Sequence, residues 1–240
     1  MMKRAFTVCM LVVLFAGLSF AQFGKLPSIG KKSGGAGVDA DSLISQANAI
    51  NTDFVLATYA LADSYAIMLD IADKKESAAK LRDAVVHAKA EPVDKQAKFL
   101  VTPLDEAQRE IDIEAATLES KKLGDKDKLD IARISFNVAV AALKDKSAIE
   151  KTAGLLPKTQ DAIRQVGSDP MGATKLTKLQ GAATALTGVS SLAPTQVKAL
   201  TGMMGTLSKM RKTNSVSDEK IANATATSSF DNGEDAKKGI

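Results

Sequence analysis

The chain has 240 residues, of which 45% are apolar and 25% charged, with aromatics at only 4% and no tryptophan. That length suits one sizeable domain and is too short for several independent enzymes, and the dominance of Ala, Leu, Lys and Asp favours helix over strand. The formal charge of +4 falls to +2 once Lys3 and Arg4 are set aside; nothing resembles the dense Lys/Arg stripe a phosphate backbone requires, so no nucleic-acid partner is expected.

Residues 1–21 read as a secretory signal. Lys3 and Arg4 give a positive start, Ala5 to Phe20 is an uncharged apolar run, and Ser19 and Ala21 are small residues where a signal peptidase reads. Cleavage after Ala21 starts the mature chain at Gln22 and places it in the periplasm or outside the cell. A retained anchor is the competing reading, but the run is short for a bilayer span. The only cysteine is Cys9, inside the run. The cut therefore lacks the Cys a lipoprotein needs, and the mature chain has no thiol for a disulfide, a Cys-bound metal or a c-type haem.

Residues 22–38, rich in Lys, Gly and Ser, read as a flexible leader, and 39–212 as a helical bundle domain. Leu43, Ala47, Ile50, Phe54, Ala57, Leu61, Ser64, Met68 and Ile71 recur at steps of four and three, which predicts one helix over 40–73, about 50 Å long, opened by Asp39 or Asp41. A second helix is expected over 75–89 with Ala79, Leu81, Val85 and Val86 as its apolar side. Pro92 ends that segment, and Thr102, Pro103 and Asp105 resemble a capped helix start. Leu104, Ala107, Ile111, Ala115 and Leu118 would be the buried stripe of the third helix, with Gly124 as its stop.

A fourth helix is expected over 126–144, using Leu129, Ala132, Phe136, Ala139, Val140 and Leu143. A fifth follows over 147–166, kinked or divided by Pro157, and Gly167 to Pro170 make a turn. Two final helices, 174–189 and 195–212, should form a hairpin around 190–194. Ala185-Leu186-Thr187-Gly188 recurs as Ala199-Leu200-Thr201-Gly202, a short echo in a stretch of low diversity. Residues 213–240 are polar and expected to be disordered. The fold expected is thus all-α, an elongated antiparallel bundle of six to seven helices with a long first helix and a C-terminal hairpin.

No catalytic residue, metal site or cofactor is expected. His87 is the only histidine; one imidazole cannot build a two-His metal site, and with Met68 or another Met it could at most ligate a haem across the bundle, against the simpler reading of a surface or packed histidine. With no second His and no mature Cys, the usual nucleophile and base pairs are missing. Glu106, Glu110 and Glu114 lie four apart beside Arg109 and read as a solvated helix edge. Asp125-Lys126-Asp127-Lys128-Leu129-Asp130 begins like a calcium loop, but Asp130 stands where its glycine belongs and Phe136 where its closing Glu belongs. Gly24 to Lys32 echoes a phosphate loop with its first Gly displaced and Lys32 in place of the Ser or Thr. Asn223-Ala224-Thr225 is a formal glycosylation sequon.

Leu176-Thr177-Lys178-Leu179-Gln180 resembles the L-T-x-x-Q signature of periplasmic helical chaperones of the Spy and CpxP type, and Leu192-Ala193-Pro194-Thr195-Gln196 is a looser echo. That resemblance implies binding of unfolded exported clients. The layout of Gly-rich leader, long helix and short follow-on helix also resembles small, uncharacterised exported helical proteins of Gram-negative bacteria. The role expected is therefore non-enzymatic, binding or structural. Leu186, Val189, Leu200, Met203, Met204, Leu207 and Met210 are the candidate apolar interaction surface, because Met side chains repack easily; otherwise they are the hairpin's own core. The partners admitted are another exported protein or an apolar ligand. Membrane contact by the hairpin, through Gly181, Gly188, Gly202 and Gly205, ranks below both.

Overall fold

The computed structural model describes residues 39–167 and 173–224, and among them every regular element is an α-helix, as the composition led us to expect. The helices are α1 (Ala40–Ile71), α2 (Lys75–Lys89), α3 (Val93–Ser120), α4 (Asp125–Val166), α5 (Ala173–Asn214) and α6 (Asp218–Ala224). The signal expected at 1–21, the leader at 22–38, the turn at 168–170 and the tail beyond 224 lie outside the described residues.

Every residue of the α1 stripe from Leu43 to Ile71 is buried, because α2, α3, α4 and α5 all pack against this one helix. α5 likewise touches α1, α3 and α4, and α6 packs on α4. Cross-links set the directions. Lys144 reaches Asp53 at 2.9 Å and Asn137 reaches Asp63 at 3.0 Å, so α4 runs against α1. Lys121 donates to the Ile71 carbonyl at 2.6 Å and Tyr59 to Gln96 at 2.8 Å, so α3 runs with α1. The chain thus goes up and down through short loops, the economical topology for antiparallel neighbours.

α1 ends where Asp73 turns left-handed (φ 60). Its N–H bonds to the Asp70 carbonyl at 3.0 Å and that of Lys74 to Leu69 at 2.8 Å, which closes the helix without a glycine. α5 stops the same way: Ser215 has φ 53, and the Val216 N–H reaches the Arg211 carbonyl at 3.1 Å. Gly124 stops no helix; α3 ends at Ser120, and Gly124 is the residue before α4.

Four expected boundaries are overturned: the one between 144 and 147, where α4 runs on unbroken, and three at prolines. α3 starts at Val93 and runs through Pro103; α4 is one helix through Pro157; α5 is one 42-residue helix through Pro194, so there is no hairpin at 190–194. A proline inside a helix orphans the carbonyl four residues before it. Those carbonyls belong to Phe99, Ala153 and Ser190, all on exposed positions where water can take the lost bond. The apolar stripes continue unbroken on the far side, Ala97, Leu100, Leu104, Ala107 and Ile111 in α3 for example, and their burial rewards continuing the helix.

Two faces also differ from expectation. In α2 the buried residues are Ala78, Leu81 and Ala88, while Ala79 is exposed and Val86 is 67% exposed. In α4, Leu129 is half-exposed and Phe136, Ala139 and Leu143 are only partly covered; the buried line runs through Ile131, Ile134, Val138, Ala141, Asp145, Ala148, Thr152 and Leu155. The polar tail expected from 213 begins instead with ordered chain. Asn214 completes α5, Val216 and Ile221 are buried, and the Ser217 hydroxyl accepts from the Lys220 N–H at 3.3 Å as the cap of α6.

Candidate functional site

The loop end of the bundle is knotted by one side chain. Asn214, buried in the last turn of α5, donates to the carbonyls of Lys121 and Met210 at 3.0 Å each and accepts from the Leu123 N–H at 2.9 Å. Thr213 donates to the Glu119 carbonyl at 2.8 Å, and Lys121 covers the exposed carbonyl end of α1. This cluster satisfies its backbone groups and leaves no reactive atom.

Mid-bundle, a second polar cluster lies where α1, α4 and α5 meet. Asp145 is 2% exposed, and its Oδ1 accepts from Gln196 Nε2 at 2.8 Å. Gln196 Oε1 in turn accepts from the Thr58 hydroxyl at 2.9 Å, whose single proton is shared with the Phe54 carbonyl, also at 2.9 Å. Asp145 Oδ2 is buried with no hydrogen-bond partner. Burial pushes the Asp145 carboxyl well above the usual carboxylate range, and the Gln196 hydrogen bond only partly opposes it. Next to Thr58 and Gln196 a cavity of about 20 Å³ opens between α3 and α5, lined also by Val101, Leu104, Asp105 and Gln108; that is about room for one water.

Tyr65 sits one layer along. Its hydroxyl donates to the Ala199 carbonyl at 2.8 Å, and burial, with Asp112 adding a smaller push, raises its ionisation far above the normal phenol range. Gly202 makes room here: a Cβ would lie 3.2 Å from Gln108 Nε2 and 3.8 Å from the Tyr65 hydroxyl. A cleft of about 110 Å³ between α1 and α2, lined by Tyr59, Ala62, Asp63, Ala66, Arg82 and Val85, is the roomier space, but its charges are engaged, Asp63 with Asn137 and Arg133, Arg82 with Asp70.

Of the seven residues expected to offer an apolar surface, Leu186, Val189, Leu200, Met203, Leu207 and Met210 are buried in the bundle and only Met204 is partly exposed. They form one side of continuous α5 rather than a free hairpin. Gly181 and Gly205 are exposed, whereas Gly202 faces Gln108. The Glu106, Glu110 and Glu114 edge lies against α2: Lys74 pairs with Glu114 at 2.9 Å, Ser77 donates to Glu110 at 2.8 Å, and Arg109 pairs with Asp105. Glu114 and its hydrogen bond raise the Lys74 ammonium's ionisation above normal. His87 is exposed while Met68 is fully buried. Residues 125–130 are the first turns of α4, where Lys126 pairs with Asp130 at 3.3 Å. Among the described residues no three His, Cys, Asp or Glu side chains gather at metal-binding range.

Asp145 and Thr58 were missed from sequence, and Gln196 entered only as the last residue of the looser L-T-x-x-Q echo. The signal existed for Asp145, which occupies a buried register position between Ala141 and Ala148 on the α4 line; an acid there breaks the apolar pattern. In the L-T-x-x-Q segment, Leu179 is buried while Thr177 and Gln180 are exposed on α5. Comparison of the chain with protein-family models, with characterised proteins and with solved structures finds no match.

Proposed function

We propose that the chain is exported and acts as a non-catalytic binding or structural module through its outer surface. What supports this most is the use to which the interior is put. The apolar face of α5 is spent on core packing, and Glu110 and Glu114 of the acidic α3 edge are engaged by Ser77 and Lys74. α1 is long and apolar enough to cross a bilayer, with mean hydropathy 1.4 over its best window, yet 78% of that window is buried by its neighbours, which suits a bundle's central helix.

Chaperone-like protection of unfolded clients is the second reading, favoured by Thr177 and Gln180, the polar members of the L-T-x-x-Q segment, being exposed on one helix. Fractionating the cells that make the protein, with mass spectrometry of its N-terminus, tests export: a periplasmic or extracellular form beginning at Gln22 is expected, and an unprocessed cytosolic chain would overturn it. An aggregation assay separates the two roles. Protection of a denatured client at equimolar protein favours the chaperone; none leaves the binding or structural module.

A further inference from the structure

Asp145 is the one buried carboxyl of the described core with an oxygen that meets nothing. The charges around it are spoken for. On its own helix Lys144 pairs with Asp53 of α1 at 2.9 Å and Lys146 with Glu150. Further along α1, Asp63 is held by Asn137 and Arg133. α5 carries no acid from Ala173 to Asn214, and its nearest cation in sequence, Lys198, is exposed. On α6, Asp218 pairs with Arg211. From α3, Asp105 borders the cavity and pairs with Arg109. A buried carboxylate with one amide donor and no cation is strongly disfavoured, so the closed core holds the neutral acid.

Two features make this layer able to yield. Pro194, two residues before Gln196, removes the hydrogen bond to the Ser190 carbonyl, so the α5 ladder is thinnest beside the residue that binds Asp145. The cavity lies on the other side of Gln196 and is bordered by Val101 and Leu104, which flank Pro103 of α3. A missing ladder hydrogen bond in α5, another in α3 and a void thus meet at the same level as the buried acid.

We propose that Asp145, Gln196 and Thr58 form a proton-controlled latch that keeps the α3–α5 seam closed while Asp145 is protonated and lets α5 bend at Pro194, admitting water, when it ionises. The group's ionisation is raised in the folded chain above its unfolded value of 3.8. Its contribution is therefore fully present below about pH 4 and is lost as pH rises towards the folded value. Opening favours higher pH, and it exposes Leu104, Leu192 and Ala199, which line the gap.

Hydrogen exchange of the whole chain between pH 4.5 and 8.5, corrected for intrinsic rates, tests the latch. Amides of residues 192–200 and 101–105 should lose protection with rising pH, by up to tenfold per unit where one proton controls opening, while those of α1 should not. Asp145→Asn, which cannot ionise, should abolish that dependence; an unchanged dependence in this variant, or none in the parent, would overturn the proposal. Should Asp145→Asn fail to fold, carbon-detected titration of the parent decides: the Asp145 carboxyl must titrate above the ordinary carboxylate range together with the exchange change, and titration within that range would refute the latch.

Discussion

The two polar knots of this bundle make opposite use of buried hydrogen bonding. At the loop end, Asn214 reaches three backbone groups and leaves none of them unpaired. In the middle, Asp145 is just as deeply buried but has one satisfied oxygen and one that is not. A buried polar side chain is thus neither stabilising nor destabilising by kind; what decides is how many of its hydrogen-bonding atoms find partners. The first knot fixes where the α3–α4 connection meets the end of α5, and the second is where the proposed latch would let the core part.

The most damaging change should be Asn214→Ala, which orphans the carbonyls and the Leu123 N–H it serves. A loss of about 3 kcal/mol is expected in urea unfolding, and a loss under about 1 kcal/mol would remove the distinction between the knots. Pro194→Ala acts the other way. It restores the α5 ladder and should stabilise by about 2 kcal/mol, less whatever the freer unfolded chain takes back, and it should blunt opening of the mid-bundle seam without changing where Asp145 titrates. Asp145→Asn should be smaller and conditional. At pH 8 it should stabilise by what ionising the buried acid costs the parent, about 1–2 kcal/mol; near pH 4, where the parent is already neutral, it should do little. Smallest are Asp73→Gly and Ser215→Gly, each expected to add about 0.5–1 kcal/mol by relieving a left-handed turn. The exposed Lys121–Asp73 pair lost in the first is worth little against that.

The parts of the fold that were legible in the sequence are those written by aliphatic spacing. The α1 stripe from Leu43 to Ile71 and the limits of α2 follow from it. Proline punctuation misled, because Pro103, Pro157 and Pro194 each place the orphaned carbonyl on an exposed side where water can take the lost bond, and burial of the opposite face outweighs what the helix loses. Glycine punctuation misled at Gly124, which precedes α4 instead of stopping α3, while α1 and α5 close on Asp73 and Ser215 without a glycine. The phase of α4 was only partly read: Ala132 and Val140 are buried as expected, but Asp145, Thr152 and Thr159 occupy buried positions that an apolar count skips. For the same reason the mid-bundle knot was invisible, since its three members come from α1, α4 and α5 and only tertiary packing brings them together.

The continuity of α5 carries the rest, because a hairpin at Pro194 would free Met203, Leu207 and Met210 and dissolve the layer around Gln196. Spin labels on Lys178→Cys and Ser208→Cys, with Cys9 replaced, measure it directly by pulsed dipolar spectroscopy. Thirty residues of unbroken helix should hold the labels about 45 Å apart. A dominant separation below about 25 Å would mean that the chain folds back, and the bundle described here would be wrong.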